Sequence, residues 1–288
     1  MSVVVTLIFN GLANGALYFL MSAGLTLIFG LLRVINFAHG VFYLWGAYAG
    51  VFLYNEFHNF LLAILGGVIT GAALGLLTER GLMAKVYQDP TRQLLLTMGV
   101  LLVLTELLKI PFGRDPAGAT IPSMLAKSWL LGHFVLVEYQ VFTLGMGILV
   151  YVGLLLLLHR TRLGLVIRAG VANPDLVLAR GVPIRRIFTA MFMLGAGLAG
   201  LAGALAGPYY GSVTPDMGMN MQLNAFIIVV LGGLGSLNGS VLGSLLIGVA
   251  TAVVGYYAPS LAVLAAVLVM AMVLVVRPAG LFGEKEVA

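Results

Sequence analysis

Few side chains in this 288-residue sequence are equipped for chemistry, and their spacing excludes most of it. The histidines stand apart at His39, His58, His133 and His159, and there is no cysteine. A metal site needs several such ligands converging on one point, so no metal and no cofactor are expected. No His-Glu-x-x-His, Gly-x-Ser-x-Gly or Gly-x-x-x-x-Gly-Lys-Ser/Thr occurs. The sequence therefore offers no zinc hydrolase, no nucleophile elbow and no phosphate-binding lysine of its own. Gly195-x-Gly197-x-x-Gly200 has the dinucleotide spacing, with Asp216 a suitable distance on, but it lies inside a long uncharged run with no strand before it. Glycines four apart recur at 11/15, 46/50, 67/71/75, 203/207 and 235/239/243, so close helix packing explains them better. Glu106 and Lys109 share a helix face and are expected to pair. Glu106 is the one acidic residue expected at depth, which leaves little for a proton- or ion-coupled carrier.

The densest chemistry is basic. The segment 160–186 carries Arg160, Arg162, Arg168, Arg180, Arg185 and Arg186 against Asp175 alone. Within it, Asn173 has the character of an N-cap, Pro174 of a first helical residue and Gly181 of a stop. A short amphipathic helix over about 174–180 follows, with Leu176, Val177 and Ala179 apolar. Two uses are open to it: lying on anionic lipid, or seating in a groove of a soluble partner.

The rest of the chain must hold these groups in a membrane. Charged residues make up 9% against roughly 25% in soluble domains, and the hydrophobic share is 61%. With a mean hydropathy of +1.10, a water-exposed surface, intrinsic disorder and nucleic-acid binding are all excluded. Stretches without Asp, Glu, Lys or Arg run over 1–32, 34–55, 57–78, 93–105, 139–159, 187–215 and 217–276. A helix needs about 20 apolar residues to cross, so 93–105 extends to about 92–111, and 217–276 has room for about three passes. Its expected pieces are about 222–235, 238–255 and 258–276. Continuous runs favour helices over a barrel. The fold class is thus all-α and polytopic, one transmembrane domain over 1–288 with about 8–9 transmembrane segments. The first segment is read as a retained span, because residues 1–10 lack the basic start of a signal peptide.

Basic residues in short loops set the orientation. Segment 160–186, loop 79–92 with Arg80, Lys85 and Arg92, and the C-terminus with Arg277 and Lys285 are placed in the cytoplasm. Loop 208–223, with Asp216 alone, belongs outside. Gly232, Gly233, Gly235 and Gly239 break the last run, and Arg33–Gly40 breaks the first half. These breaks are expected to give discontinuous half-helices facing a cavity, in an internal inverted repeat.

Several ordered motifs then resemble the LivH-type permease subunits of branched-chain amino acid ABC importers, over about 10–283. They are Val34-Ile-Asn-Phe-Ala-His-Gly40 with Gly46-Ala-Tyr48; Thr161-Arg-Leu-Gly164 with Arg168-Ala169 and Asn173-Pro174; Ala199 to Gly203; Ala225-Phe226 with Val230 to Ser236; and Arg277-Pro278-x-Gly280-Leu-Phe-Gly283. The resemblance implies a multi-pass subunit of the bacterial cytoplasmic (inner) membrane, in contact with membrane lipid. Its implied partners are cytoplasmic ABC ATPases, a second permease subunit (identical or related) and an extracytoplasmic substrate-binding protein. ATP hydrolysis would fall to the partner, with Arg162, Gly164, Arg168, Ala169, Asn173, Pro174, Leu176, Arg180 and Gly181 as the coupling element. The sequence departs from the family at Val41, Asn224 and Gly248–Thr251, where relatives often carry charges. A pathway of neutral groups is therefore expected, built from Asn36, His39, Asn224, Ser236 and Asn238. Urea and short-chain amide permeases share much of the pattern and stand as the alternative; an ATP-independent channel or secondary carrier is a more distant one.

Overall fold

A computed structural model describes residues 2–32, 34, 36–87, 89–131, 134–172 and 184–283. Its helices are α1 (Ser2–Leu32), α2 (His39–Phe57), α3 (Phe60–Gly81), α4 (Pro90–Phe112), α5 (Glu138–Arg160), α6 (Arg162–Ala172), α7 (Ile184–Tyr210), α8 (Met217–Gly232), α9 (Leu237–Tyr257) and α10 (Ala262–Val276). Among the described residues, six are long and apolar enough to cross a bilayer: α1, α3, α4, α5, α7 and α9. Helices α8 and α10 are apolar but shorter. Small β elements accompany them: β1 (Ala117–Gly118) pairs with β4 (Ser212–Val213), and β2 (Ser128–Leu131) with β3 (Phe134–Val137), both antiparallel.

Local chemistry sets several helix starts. Asn59 accepts a hydrogen bond from Leu62 N at 3.1 Å, Asp89 from Arg92 N at 3.0 Å, with Pro90 next, and Ser236 from Gly239 N at 3.1 Å. Each satisfies an amide that the helix leaves unpaired, worth about 1 kcal/mol.

Contacts between helices give the directions. Helix α1 runs antiparallel to α9: Gly11 meets Val249, the Thr26 and Ser240 hydroxyls bond each other, and Gly30 meets Gly235. Helix α7 runs parallel to α2 and antiparallel to α3, through Gly46, Gly67 and Gly200. A Cβ on Gly200 would lie 2.1 Å from the Gly67 carbonyl oxygen, so these backbones touch. Gly195, Gly197 and Gly200 are thus mid-helix packing residues, with no turn for a phosphate to enter. Helix α4 is tied to the centre by Trp45 Nε1 donating to the Leu104 carbonyl at 3.0 Å. The Tyr139 hydroxyl ties α5 to α7 by donating to the Leu205 carbonyl at 2.7 Å.

These directions sort charge. One end of the bundle gathers Arg80, Lys85, Arg92, Arg160, Arg162, Arg168, Arg185, Arg186 and Arg277, at the ends of α3, α5 and α10, the starts of α4 and α7, and along α6. The other end holds Glu56, Arg114, Asp115, Lys127, Glu138 and Asp216. Helix α2 lies at the centre, with His39, Gly40, Val41, Phe42, Tyr43 and Leu44 all buried, as a helix enclosed on every side must be.

The two breaks differ in depth. His39, the first residue of α2, sits against Met21 and Gly24, roughly 13 Å along α1 from Gly30 at 1.5 Å per residue. The chain therefore leaves α1 at the basic end, returns inward, and starts α2 deep in the bundle. The glycine break between α8 and α9 does otherwise. Gly233 and Gly235 take positive φ (97° and 84°), and Leu281 and Phe282 amides donate to the Leu231 and Gly232 carbonyls. That turn is closed by the C-terminal segment at the basic end, where the sequence expectation had set half-helices facing a cavity. The end of α8 away from the basic end is its start, where Gly218 packs on Gly40 and Leu44 of α2.

Candidate functional site

The site is built where α2 and α8 begin. Asn36 in the break is fully buried; its side-chain oxygen accepts from Ala38 N at 3.0 Å, and its carbonyl accepts from Gln222 Nε2 at 3.3 Å. His39 Nε2 donates to the Met21 carbonyl at 3.1 Å. Phe37 stacks on Phe226, with centroids 6.1 Å apart. One turn further along α2, the Tyr43 side chain reaches a cavity of about 190 Å³ lined by Tyr18, Tyr43, Tyr210, Met217, Asn220, Met221 and Asn224.

This region is short of hydrogen-bond partners. Asn36 Nδ2, His39 Nδ1, Tyr43 Oη and Gln222 Oε1 are buried and have none among the described residues. Such groups ordinarily cost about 1–3 kcal/mol each, so their concentration at two helix starts marks a place equipped for a polar visitor. The cavity walls carry hydroxyls, amides and thioethers but no ionisable acid or base near neutrality. They can hold a neutral or zwitterionic solute by hydrogen bonds and an apolar side chain against Met217 and Met221.

The expected pathway residues divide. Asn224 lines the cavity, Asn36 is bonded to Gln222, the residue after Met221, and His39 lies one turn before Tyr43 on α2. Ser236 and Asn238 lie near the basic end: Ser236 caps α9, and Asn238 accepts from the Tyr151 hydroxyl at 3.0 Å. Tyr18, Tyr43, Tyr210 and Gln222 were not legible as site residues, because each sits in an apolar run and only helix packing brings it to the others.

Of the coupling residues, Arg162, Gly164, Arg168 and Ala169 fall in α6, a helix not anticipated from the sequence. Thr161 Oγ1 caps it by accepting from Gly164 N at 3.0 Å. Gly164, Ile167 and Gly170 are buried, while Arg162, Leu163, Leu165, Arg168 and Ala169 are exposed. A Cβ on Gly164 would sit 2.2 Å from the Leu158 carbonyl oxygen, so the corner between α5 and α6 requires glycine. Asn173, Pro174, Leu176, Arg180 and Gly181, with the expected 174–180 helix, lie outside the described residues.

Acidic groups also need correction. Glu106 is exposed and pairs with Lys109, as its spacing predicts. Among the described residues the acidic side chain buried within the protein is Glu79, in the last turn of α3 at the basic end. Its Oε1 accepts from the Tyr87 hydroxyl at 2.9 Å and its Oε2 from the Thr189 hydroxyl at 2.8 Å. Burial, and then the Glu79 charge, push the Tyr87 phenol well above its ordinary pKa, which keeps it a proton donor.

A family model described as "Branched-chain amino acid transport system / permease component" matches residues 7–277. The chain belongs to this family. It is 29% identical to the high-affinity branched-chain amino acid transport system permease protein LivH of Escherichia coli K12, over 97% of this chain and 95% of that one. To BraD of Pseudomonas aeruginosa, a permease protein of the same description, it is 30% identical over 96% and 95%. The ribose import permease protein RbsC of Escherichia coli K12 is 28% identical over 84% of this chain and 75% of its own length. No solved structure matches the chain. Membership makes this a transport subunit and not an enzyme.

Proposed function

We propose that this chain is the membrane permease domain of an ATP-driven importer that carries branched-chain amino acids across the cytoplasmic membrane. The observation that carries the reading is the uncharged cavity at the starts of α2 and α8, in a chain of this family. A branched-chain amino acid is a zwitterion with a short apolar side chain. Asn224, Asn220 and the Tyr18, Tyr43 and Tyr210 hydroxyls suit its ends, and Met217 and Met221 suit its side chain. Permeases of this family act with ATPases and a substrate-binding protein. The basic end faces the cytoplasm on the loop-charge rule, which puts the exposed face of α6 toward the ATPases and the C-terminus inside. Closure of the ATPases would shift α6 and the following segment, and transport is directional because the cavity's affinity differs between the two states. Urea is less well suited, since a small amide has nothing to place against the methionines.

The test is uptake into proteoliposomes holding the chain with the ATPase subunits and binding protein recovered with it from its host. ATP-dependent accumulation of leucine, isoleucine or valine is expected. Accumulation of urea or ribose instead, or leucine uptake that is indifferent to ATP and to the ATPases, would overturn the reading.

A further inference from the structure

At the basic end, two features share one short stretch of chain. The first is a cavity of about 430 Å³ between the last turn of α3, the turn after it and the start of α7, lined by Glu79, Arg80, Ala84, Arg185, Arg186 and Thr189. The second is an apolar groove, also about 430 Å³, where α3 and α4 stand apart; its walls include Leu74, Leu77, Leu82, Leu96, Val100 and Val103. Gly99 on α4 also faces the groove, and a Cβ there would meet nothing within 4 Å. Thr78 and Leu82 line the groove while Glu79 and Ala84 line the cavity, so the two open on either side of the same residues.

Among the described residues, charge in the cavity is not balanced from within. Both Glu79 oxygens are taken by hydroxyl donors, and this carboxylate is fully buried. Among the described residues the ion pairs are Asp89–Arg92 and Glu106–Lys109, so Arg80, Arg185 and Arg186, all exposed, have no acidic partner. Guanidinium groups in such a cluster match a phosphodiester through paired N–H donors. A basic pocket between transmembrane helices on the cytoplasmic side is a lipid-headgroup site by its physics. The groove beside it, bare of side chain at Gly99 and about 12 Å long from Leu74 to Leu82, offers an acyl chain the apolar contact that α3 and α4 do not give each other.

We propose that this is a site for one anionic phospholipid, with its phosphate on Arg80, Arg185 and Arg186 and an acyl chain between α3 and α4. The proposal rests on the chain being a membrane permease and not on which solute it carries. The bound lipid would tie α3 and α4 to the first turn of α7, the helix that follows the coupling segment.

The experiment is native mass spectrometry of the full chain in gentle detergent, delipidated and then titrated with phosphatidylglycerol or phosphatidylcholine. We expect one phosphatidylglycerol retained at least tenfold more than phosphatidylcholine. The triple variant R80Q/R185Q/R186Q should lose that preference, and Arg92→Gln at the same end should keep it. Gly99→Phe, which fills the groove without touching the charges, should also lower retention, and it decides the matter if the triple variant misfolds. Equal retention of the two lipids, or undiminished retention by Gly99→Phe, would overturn the site. So would a triple variant that keeps its lipid but loses its ATPase, which would make the cavity a protein contact. None of these readings depends on uptake, so a wrong substrate leaves them unchanged.

Discussion

The Gln222 amide donates to the Asn36 carbonyl at 3.3 Å and so joins the first turns of α8 to the break that precedes α2. Gly40 packs on Gly218 beside it, with space for no side chain between the two helices. Among the described residues the joint leaves Asn36 Nδ2 and Gln222 Oε1 unpartnered, two groups that would be satisfied if α8 moved and a solute entered. Removing the Gln222 amide while keeping its bulk, as in Gln222→Met, should therefore leave the protein folded and lower uptake about tenfold or less, the worth of one or two neutral hydrogen bonds. Initial rates of leucine uptake, normalised to protein in the membrane, check this; rates equal to wild type would mean that the joint plays no part in transport.

Tyr43 allows stability and function to be separated. Its hydroxyl is buried without a partner among the described residues, so Tyr43→Phe removes a desolvation cost of about 1–3 kcal/mol and should leave the melting temperature unchanged or higher. If the hydroxyl meets solute in the cavity, uptake falls by about two- to tenfold in the same variant. Asn224→Ala should lower uptake similarly. A Tyr43→Phe variant that melts earlier would show that the hydroxyl has a structural partner.

Much of this architecture is written in the sequence, because hydropathy and charge report on lipid directly. The spans expected near 92–111, 139–159 and 238–255 became α4 (Pro90–Phe112), α5 (Glu138–Arg160) and α9 (Leu237–Tyr257). The break around Asn36 was visible as polar residues between apolar runs. Depth was not legible. Gly233 and Gly235 signal a turn wherever the turn lies, and contacts with Gly30, Gly280 and Gly283 place it at the basic end. Glu79 fell in the loop expected over 79–92 and drew no notice, because nothing in its own segment tells of Tyr87 and Thr189. The cavity was half legible for the same reason: Asn224 is conspicuous among apolar neighbours, whereas Tyr43 becomes a site residue only once α8 lies across α2.

The α2–α3–α7 seam should be intolerant of a single methyl group. A Cβ on Gly200 would approach the Gly67 carbonyl oxygen to 2.1 Å, and one on Gly203 the Tyr43 carbonyl oxygen to 2.0 Å. Backbone atoms can yield only by separating the helices, so Gly200→Ala should cost about 1–3 kcal/mol or more. Gly153→Ala is the control, since its Cβ meets nothing within 4 Å. Thermal melts in one detergent compare them, and equal melting temperatures would contradict the packing.

Glu79 is held by two hydroxyl donors and by no described cation. Glu79→Leu strands both donors in the interior and should destabilise by about 1–3 kcal/mol. Glu79→Gln keeps an acceptor for one hydroxyl, and the other can rotate to accept from the new amide, so its cost should be the smaller. Melting curves of the two variants give the order; a glutamine variant as unstable as the leucine one would mean that the negative charge itself is required.

The exposed face of α6 supplies the last prediction. Arg168 and Ala169 point away from the bundle, while Gly164, Ile167 and Gly170 hold α6 against it. Reversing the charge with Arg168→Glu and adding a second carboxylate with Ala169→Glu should change stability by no more than about 0.5 kcal/mol, as for most surface substitutions. If the ATPase seats on this face, like-charge repulsion or a lost contact uncouples it: hydrolysis continues or falls, and leucine uptake drops by more than tenfold. Uptake and ATPase rates measured on one proteoliposome preparation give the ratio. Normal uptake by the double variant would move the coupling contact off α6 and onto the segment that follows it.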